Sequence, residues 1–188
     1  MDSILSLWLP IVVSVAGCFV MSALIWMALP IHKADWNKLP NEDGVMDTLR
    51  AQSLKPGWYM FPFCDHKTMN EPAAKAKRER GPCGTITIFP AGMAMGRSLG
   101  IWAVHLLIVA TAVAYVVGKL RGAGTDFMGI AKLAGAMSFL VFAGHELPGM
   151  AWKGQPAAIA LRNLVDAAIY AVIFGAAFGG LWPAAAGS

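Results

Sequence analysis

Four long runs of apolar residues dominate the chain. A helix needs about 20 residues to cross roughly 30 Å of hydrocarbon, and only a helix satisfies its own backbone hydrogen bonds there. Each run therefore predicts one transmembrane helix. The expected helices span residues 7–29, 98–118, 127–147 and 160–182.

The composition supports this interpretation. Hydrophobic residues make up 57% of the chain and charged residues only 14%, whereas about a quarter of the residues in soluble domains are charged. We expect the first run to be a permanent helix and not a cleaved signal peptide. No Lys or Arg precedes it, and its apolar stretch is longer than that of a typical signal.

The main polar segment, residues 31–96, separates the first two helices. The stretch "NEDGVMDTLRAQ" predicts a short helix capped by Asn41, and "NEPAAKAKRERG" predicts a second helix that Gly81 ends. "WYMFPF" and "GTITIF" have the aromatic content or the alternation typical of strands. The predicted fold is an all-α transmembrane four-helix bundle, with a small α+β extramembrane loop domain of order helix, strand, helix, strand between helices one and two.

The distribution of basic residues predicts the orientation. Ten of the fifteen Lys and Arg residues lie between Lys33 and Arg97. The other five are Lys119, Arg121, Lys132, Lys153 and Arg162. Because cytoplasmic loops are enriched in Lys and Arg, loop 31–96 is expected in the cytoplasm and both termini in the periplasm.

Small residues recur at every fourth position in three of the helices. They are Ser14, Cys18 and Ser22 in the first, Ala110, Ala114 and Gly118 in the second, and Ala167, Ala171, Gly175 and Gly179 in the fourth. Residues four apart share one helix face, so these ridges predict close helix packing. The partner of a ridge is either another helix of this chain or a second copy.

The basic stretch "AAKAKRER" invites comparison with nucleic-acid-binding segments. Alanines, not stacking aromatics, interrupt its charges, and the loop holds seven acidic residues beside its basic ones. We expect a solvated or lipid-facing helix that does not bind nucleic acid.

Ionisable residues near one membrane face form the first candidate site. Helix ends in the predicted topology bring five of them toward the same face: His32, His105, His145, Glu146 and Asp166. Such residues are costly in hydrocarbon and often functional, and together they are candidates for binding a metal or passing protons. No HxxxH or HExxH spacing is present.

Simpler structural roles also fit the same residues. Arg162, Asp166 and Tyr170 follow at four-residue steps, which predicts an Arg162–Asp166 ion pair at the membrane boundary. His145 and Glu146 precede Pro148, which suggests the exit of the third helix. Four tryptophans near the helix ends are expected to act as interfacial anchors: Trp8, Trp26, Trp102 and Trp182.

Cys64, His66 and Cys83 form a second, weaker metal candidate. If the two loop strands pair antiparallel, the end of one lies beside the start of the other, which brings Cys64 and Cys83 together. Three such residues suit zinc, but no fourth ligand is evident. In a cytoplasmic loop we expect two free thiols.

Four segments also resemble an uncharacterised family of bacterial four-helix inner-membrane proteins. They are "LPIHKADWNKLPNED", "PGWYMFP", "GPCGTITIFPAGMAMGRSLGIW" and "DAAIYAVIFGAAFGGLWP". The resemblance runs over nearly the whole chain and implies a multi-pass protein of the bacterial inner membrane. It implies no activity, ligand or catalytic residue.

Two hypotheses for function follow. The first is a non-enzymatic accessory or scaffold protein in the lipid bilayer, without a cofactor, that forms a homo-oligomer or joins a partner membrane subunit. It is favoured by the small-residue ridges and by the lack of a phosphate loop, GxSxG elbow or catalytic triad. The alternative is a small ligand-handling protein, a transporter or a metal or haem binder that uses the His, Glu and Asp residues.

Overall fold

The structure is a computed structural model that describes residues 4–90 and 94–185. It divides into two compact units, one formed by the chain up to Trp36 and from Met95 onward, and the other by Asn37–Ala94. The first unit contains four helical segments of 24 to 27 residues that are long and apolar enough to cross a membrane. Length and composition thus agree with the predicted multi-pass arrangement.

The four candidate spans differ in regularity. The first joins a 3₁₀ turn at Ile4–Leu7, helix α1 at Trp8–Ala23 and a π-helical turn at Leu24–Ala28. A 3₁₀ helix follows at Pro30–Asp35. The later spans are built from α4 at Met95–Leu120, α5 at Phe127–Ala143 with α6 at Glu146–Lys153, and α7 at Ala157–Gly180.

The end of the third span differs from the prediction. The chain was expected to leave its helix at residue 147, but α5 ends at Ala143, and α6 begins at Glu146 after a two-residue turn. Pro148 cannot donate to the carbonyl of Gly144, and its ring would collide with that carbonyl in a continuous helix. The same proline is tolerated in the first turn of α6, where its missing N–H would have no helical partner.

Close backbone approach joins α5 to α7, the pair with the most extensive contact. A Cβ atom placed on Gly175 would lie 2.9 Å from the carbonyl oxygen of Ala131, and one on Gly179 would lie 2.9 Å from the carbonyl oxygen of Phe127. The fourth-helix ridge therefore meets another helix of the same chain.

The remaining ridge residues of all three helices also face the interior of this unit. Ser14, Cys18, Ala110, Ala114 and Ala167 are at most 1% exposed. Ser22, Gly118 and Ala171 are half-buried. Around them the core is formed by aliphatic side chains and by rings such as Phe174 and Phe178, which are fully buried.

The second unit has the predicted order of elements. Helix α2 spans Glu42–Ala51, strand β1 Gly57–Phe61, helix α3 Pro72–Arg80 and strand β2 Gly84–Ile88. The strands pair antiparallel, with Gly57 opposite Ile88 and Phe61 opposite Gly84. The Asn41 side chain caps α2 by accepting from the Gly44 N–H at 3.2 Å.

Candidate functional site

Two short sequence patterns place the polar residues at one end of the helical unit. The Pro30–Asp35 segment is a 3₁₀ helix, whose three residues per turn put His32 and Asp35 on one side. On α7, the four-residue spacing puts Arg162 and Asp166 on one face. The side chains of the two pairs contact each other and form one continuous series of polar contacts.

The chain of contacts runs from Arg162 to Asp166. The Arg162 guanidinium donates to Asp35 Oδ1, with Nε at 2.6 Å and a second nitrogen also in contact. His32 bridges the two carboxylates, with Nδ1 2.6 Å from Asp35 Oδ2 and Nε2 3.1 Å from Asp166 Oδ2. We name these four residues the polar chain. Both ring nitrogens of His32 therefore lie within hydrogen-bonding distance of a carboxylate oxygen.

Trp26 fixes the His32 ring from one side. The two rings stack with centroids 3.9 Å apart and planes inclined by 4°. The indole Nε1 also donates to Asp166 Oδ2 at 3.2 Å. An interfacial position for Trp26 stays a prediction; in the structure its ring contacts two members of the polar chain, His32 and Asp166.

The electrostatics of Asp35 follow from its partners. Burial opposes ionisation of this carboxyl, whose side chain is only 5% exposed. Hydrogen bonds from His32 and Arg162, together with their charges, outweigh burial and hold the pKa of Asp35 below its usual value.

A pocket of about 770 Å³ lies beside the polar chain, between all four spans. Its wall is mostly apolar and aromatic, with a few polar groups. The wall includes Ser22, Trp26, Ser98, Trp102, His105, Phe142, His145, Glu146, Asn163, Asp166 and Tyr170. The ring of Trp102 lies 6.2 Å from that of Phe142 and 6.0 Å from that of Tyr170.

Glu146 supplies one carboxylate of the pocket and is fully hydrogen-bonded. Its side chain is 1% exposed. Gln155 donates to Oε2 at 2.6 Å, Asn163 Nδ2 lies 3.1 and 3.2 Å from the two oxygens, and His145 Nε2 lies 2.8 Å from Oε1. Glu146 thus has neutral amide donors and a largely exposed imidazole as partners.

Asp166 supplies the other carboxylate and is only half satisfied. Its Oδ2 has both Trp26 and His32 as partners. Its Oδ1 is buried and has no hydrogen-bond partner among the described residues. Buried carboxylate oxygens are ordinarily paired, so the unpaired Oδ1 is an exception. Asp166 lines the pocket, but Oδ1 itself has less than 1 Å² of accessible surface and does not face the open space.

Most of the predicted cluster converges on this pocket. His105, His145, Glu146 and Asp166 line it, and His32 reaches it through its contact with Asp166. Within residues 4–90 and 94–185, no group of three or more His, Cys, Asp or Glu side chains is arranged to hold a metal ion. His32, His145, Glu146 and Asp166 make polar contacts, and the His105 ring packs against the rings of Trp102 and Phe142.

The weaker candidate triad lies in the second unit. Cys64 and Cys83 are free thiols, half-buried and exposed respectively, and Cys83 Sγ donates to the Arg78 carbonyl at 3.4 Å. Together with His66, they do not form a metal-ligand group in the described part of the chain.

The predicted Arg162–Asp166 ion pair is wrong. Arg162 pairs with Asp35 and Asp166 with His32, because the 3₁₀ segment brings two further charged residues to the same face of α7. His145 and Glu146 likewise do not mark the end of a helical span. They stand at the start of α6, where Glu146 is buried.

Four residues of the site were not predicted: Asp35, Trp26 as a hydrogen-bond donor, Gln155 and Asn163. The three-residue spacing of His32 and Asp35 in "PIHKAD" was a usable signal for the first. Nothing local marks Gln155 or Asn163, because they acquire a role only through the tertiary contact with Glu146.

Comparison with known proteins adds no relative: no family model, curated protein or solved structure matches this chain.

Proposed function

We propose that this chain is a multi-pass protein of the bacterial inner membrane that binds a small, largely apolar molecule in the pocket between its helices. The observation on which this rests is the pocket itself. Its volume of about 770 Å³ lies within the range of roughly 300–1,000 Å³ common for small-molecule sites. Its apolar wall with a few hydrogen-bonding groups is also typical of such sites.

The membrane location is supported by the outer faces of the helices. Large apolar side chains there remain exposed, including Val20, Leu107, Leu140 and Val172 at 50–70%. Exposed apolar surface on this scale is stable against lipid and unfavourable in water. The bacterial inner membrane is the location that the resembling family implies, and the basic loop favours a cytoplasmic position for residues 31–96.

The placement of the small-residue ridges favours ligand binding over the accessory or scaffold role. The ridge glycines that motivated an interface with another subunit meet α5 of the same chain. The pocket, in contrast, lies between all four spans and is lined by two buried acidic residues, Glu146 and Asp166. The accessory role stays a prediction, and the pocket gives the more specific hypothesis.

A binding measurement tests the proposal. Purified protein in phosphatidylcholine nanodiscs is titrated with 2-naphthylmethanol by calorimetry, and the signal of empty nanodiscs is subtracted. Ser98 lines the pocket and is itself exposed, so Ser98→Trp fills the space without disturbing the core. Gly100→Trp, two residues along the same helix, is the matched control because its Cβ would meet no atom within 4 Å.

We expect wild type and Gly100→Trp to bind about one probe per chain, and Ser98→Trp to bind at least roughly tenfold more weakly, since the indole occupies the site. Equal binding by Ser98→Trp, or heats no larger than those of empty nanodiscs for every variant, would contradict the proposal.

A further inference from the structure

We infer that His105 recognises the ligand of this pocket by a hydrogen bond to an uncharged hydroxyl group, while the apolar body of the ligand lies against the aromatic wall. This inference rests on the proposed function and adds the recognising residue and the chemical class of the ligand.

The imidazole of His105 is held by neighbouring rings and by no hydrogen bond. It stacks against Trp102, with centroids 5.5 Å apart and planes inclined by 24°, and it meets the Phe142 ring edge-on at 5.9 Å. Neither ring nitrogen has a hydrogen-bond partner within residues 4–90 and 94–185. The two rings thus fix the position of the imidazole and leave its polar atoms open.

The His105 nitrogens are accessible, unlike Asp166 Oδ1. In the described part of the chain, Asp166 Oδ1 is the one side-chain nitrogen or oxygen that is both sealed from solvent and unpaired. The His105 nitrogens are unpaired as well, so they keep accessible surface. Because His105 is half-buried and lines the pocket, a molecule inside the pocket is placed to bond to them.

Other polar groups of the wall already have partners. The Trp102 indole donates to Ser22 Oγ at 2.9 Å, and that hydroxyl donates in turn to a backbone carbonyl. The Trp26 indole donates to a carboxylate, and both Glu146 oxygens are hydrogen-bonded. His105 differs from these residues because it has two unused nitrogens.

The depth of His105 in α4 makes an open imidazole unfavourable. Ten residues of the helix precede it, which places it about 15 Å from the start of α4 at 1.5 Å per residue. In the proposed membrane location, a polar group at that depth has little water to bond to, and leaving it unpaired is costly. A ligand that supplies the partner removes this cost.

A hydroxyl group fits the imidazole in either of its neutral forms. A neutral imidazole has one N–H donor and one bare acceptor nitrogen, and a hydroxyl group both donates and accepts. A carbonyl pairs only with the N–H, and an ammonium only with the bare nitrogen. The class that suits both forms is therefore an uncharged alcohol or phenol with an apolar body.

A charged head is less suited to this pocket. It would have to leave water for a mostly apolar space, which is costly unless an opposite charge contacts it. The two acidic side chains of the wall, Glu146 and Asp166, are 1% and 7% exposed, so neither is placed to contact a cationic head.

The test compares four probes with the same naphthalene body: 2-naphthylmethanol, 2-ethylnaphthalene, 2-naphthylmethylammonium and 2-naphthoate. The second replaces the hydroxyl group by a methyl group. Binding to protein in phosphatidylcholine nanodiscs is measured by calorimetry at pH 8, above the ordinary histidine pKa of about 6.5. Affinities are expressed relative to the probe concentration in the bilayer, so that differences in partitioning cancel.

We expect the alcohol to bind roughly threefold or more tightly than 2-ethylnaphthalene, because a hydrogen bond between neutral groups is worth about a two- to tenfold change. Both charged probes should bind more weakly than the alcohol, since each must bring its charge into the pocket.

Two variants locate the effect. His105→Phe keeps a ring between Trp102 and Phe142 but has no nitrogen, so the alcohol and 2-ethylnaphthalene should bind it within about twofold of each other. Its affinity for 2-ethylnaphthalene should stay close to that of wild type. His66→Phe is the matched control, since His66 is exposed and lies in the other unit, and its preference for the alcohol should equal that of wild type.

Three results would overturn the inference. They are equal affinity of wild type for the alcohol and 2-ethylnaphthalene, tighter binding of either charged probe than of the alcohol, and an unchanged preference for the alcohol in His105→Phe. The wild-type comparisons decide even where His105→Phe does not fold. Failure of the proposed function is distinct, because then 2-ethylnaphthalene also shows no binding to wild type that Ser98→Trp loses.

Discussion

At the scale of single residues, the polar chain shows how charges are kept at the end of a mostly apolar unit. The buried carboxylate of Asp35 has both the Arg162 guanidinium and the His32 imidazole within hydrogen-bonding distance, as burial requires. His32 and Asp166 were candidates from the sequence because they are ionisable residues in or beside apolar runs. Their partners were not predictable, since the pairing depends on where a 3₁₀ turn meets a helix far away in the chain.

A substitution of Asp35 tests whether the polar chain stabilises the fold. Asp35→Asn keeps the shape of the side chain but loses two charged hydrogen bonds, so we expect the free energy of unfolding to fall by about 1–3 kcal/mol near neutral pH. Asp47→Asn is the control. The side chains of Asp47 and Arg50, which form an ion pair, are 74% and 66% exposed, so this pair contributes at most about 1 kcal/mol to the free energy of unfolding. Thermal unfolding of both variants in detergent is the measurement.

Asp35 should also make the stability of the protein depend on pH. The pKa of Asp35 in the folded protein lies below its ordinary value of 3.8. The stability that its ionised form contributes is therefore present above pH 3.8 and is lost as the pH falls through the lower, folded pKa. The difference between wild type and Asp35→Asn should shrink on acidification below pH 3.8. A constant difference, or one that grows, would show that ionised Asp35 does not stabilise the fold.

At the scale of elements, the four spans follow from the apolar runs, and the loop elements follow from local patterns. Asn41 caps α2 as its position before the acidic first turn predicts, and the threonine–isoleucine alternation forms β2. Boundaries were less predictable. The break between α5 and α6 depends on Pro148, and that residue fits either the end of one helix or the start of the next until the tertiary contacts of Glu146 are known.

Glycine packing between α5 and α7 gives a prediction at this scale. Gly175→Ala and Gly179→Ala each place a Cβ within 2.9 Å of a backbone oxygen, which forces the helices apart and should cost roughly 1–3 kcal/mol. Gly180→Ala on the same helix meets no atom within 4 Å and should leave the unfolding temperature unchanged or slightly raised. Loss of stability in all three variants, or in none, would contradict close approach at these two positions.

At the scale of the whole molecule, the sequence predicted the helix count and the α+β character of the loop, but not the pocket. A pocket is the space left between side chains of all four spans, and helix rotation is not fixed by chain spacing. The side of the membrane on which the loop lies follows only from the basic residues, so it is a prediction to be measured.

Thiol labelling tests the orientation. Cys64 is half-buried and Cys83 exposed, whereas Cys18 is fully buried in α1. A membrane-impermeant maleimide should label the loop thiols only after cells are lysed, because the loop is predicted to be cytoplasmic. A Cys64→Ser/Cys83→Ser variant gives the background. Labelling of intact cells, or labelling that needs reductant, would place the loop in the periplasm.

A small molecule that occupies the pocket can be located directly by crystallography. Crystals of the protein grown with 6-bromo-2-naphthylmethanol would locate the probe by the anomalous signal of bromine. We predict the strongest bromine peak inside the pocket, beside Trp102, Phe142 and Tyr170, and its loss in Ser98→Trp. Bromine found only on the outer, lipid-facing sides of the helices, with none in the pocket, would contradict the account.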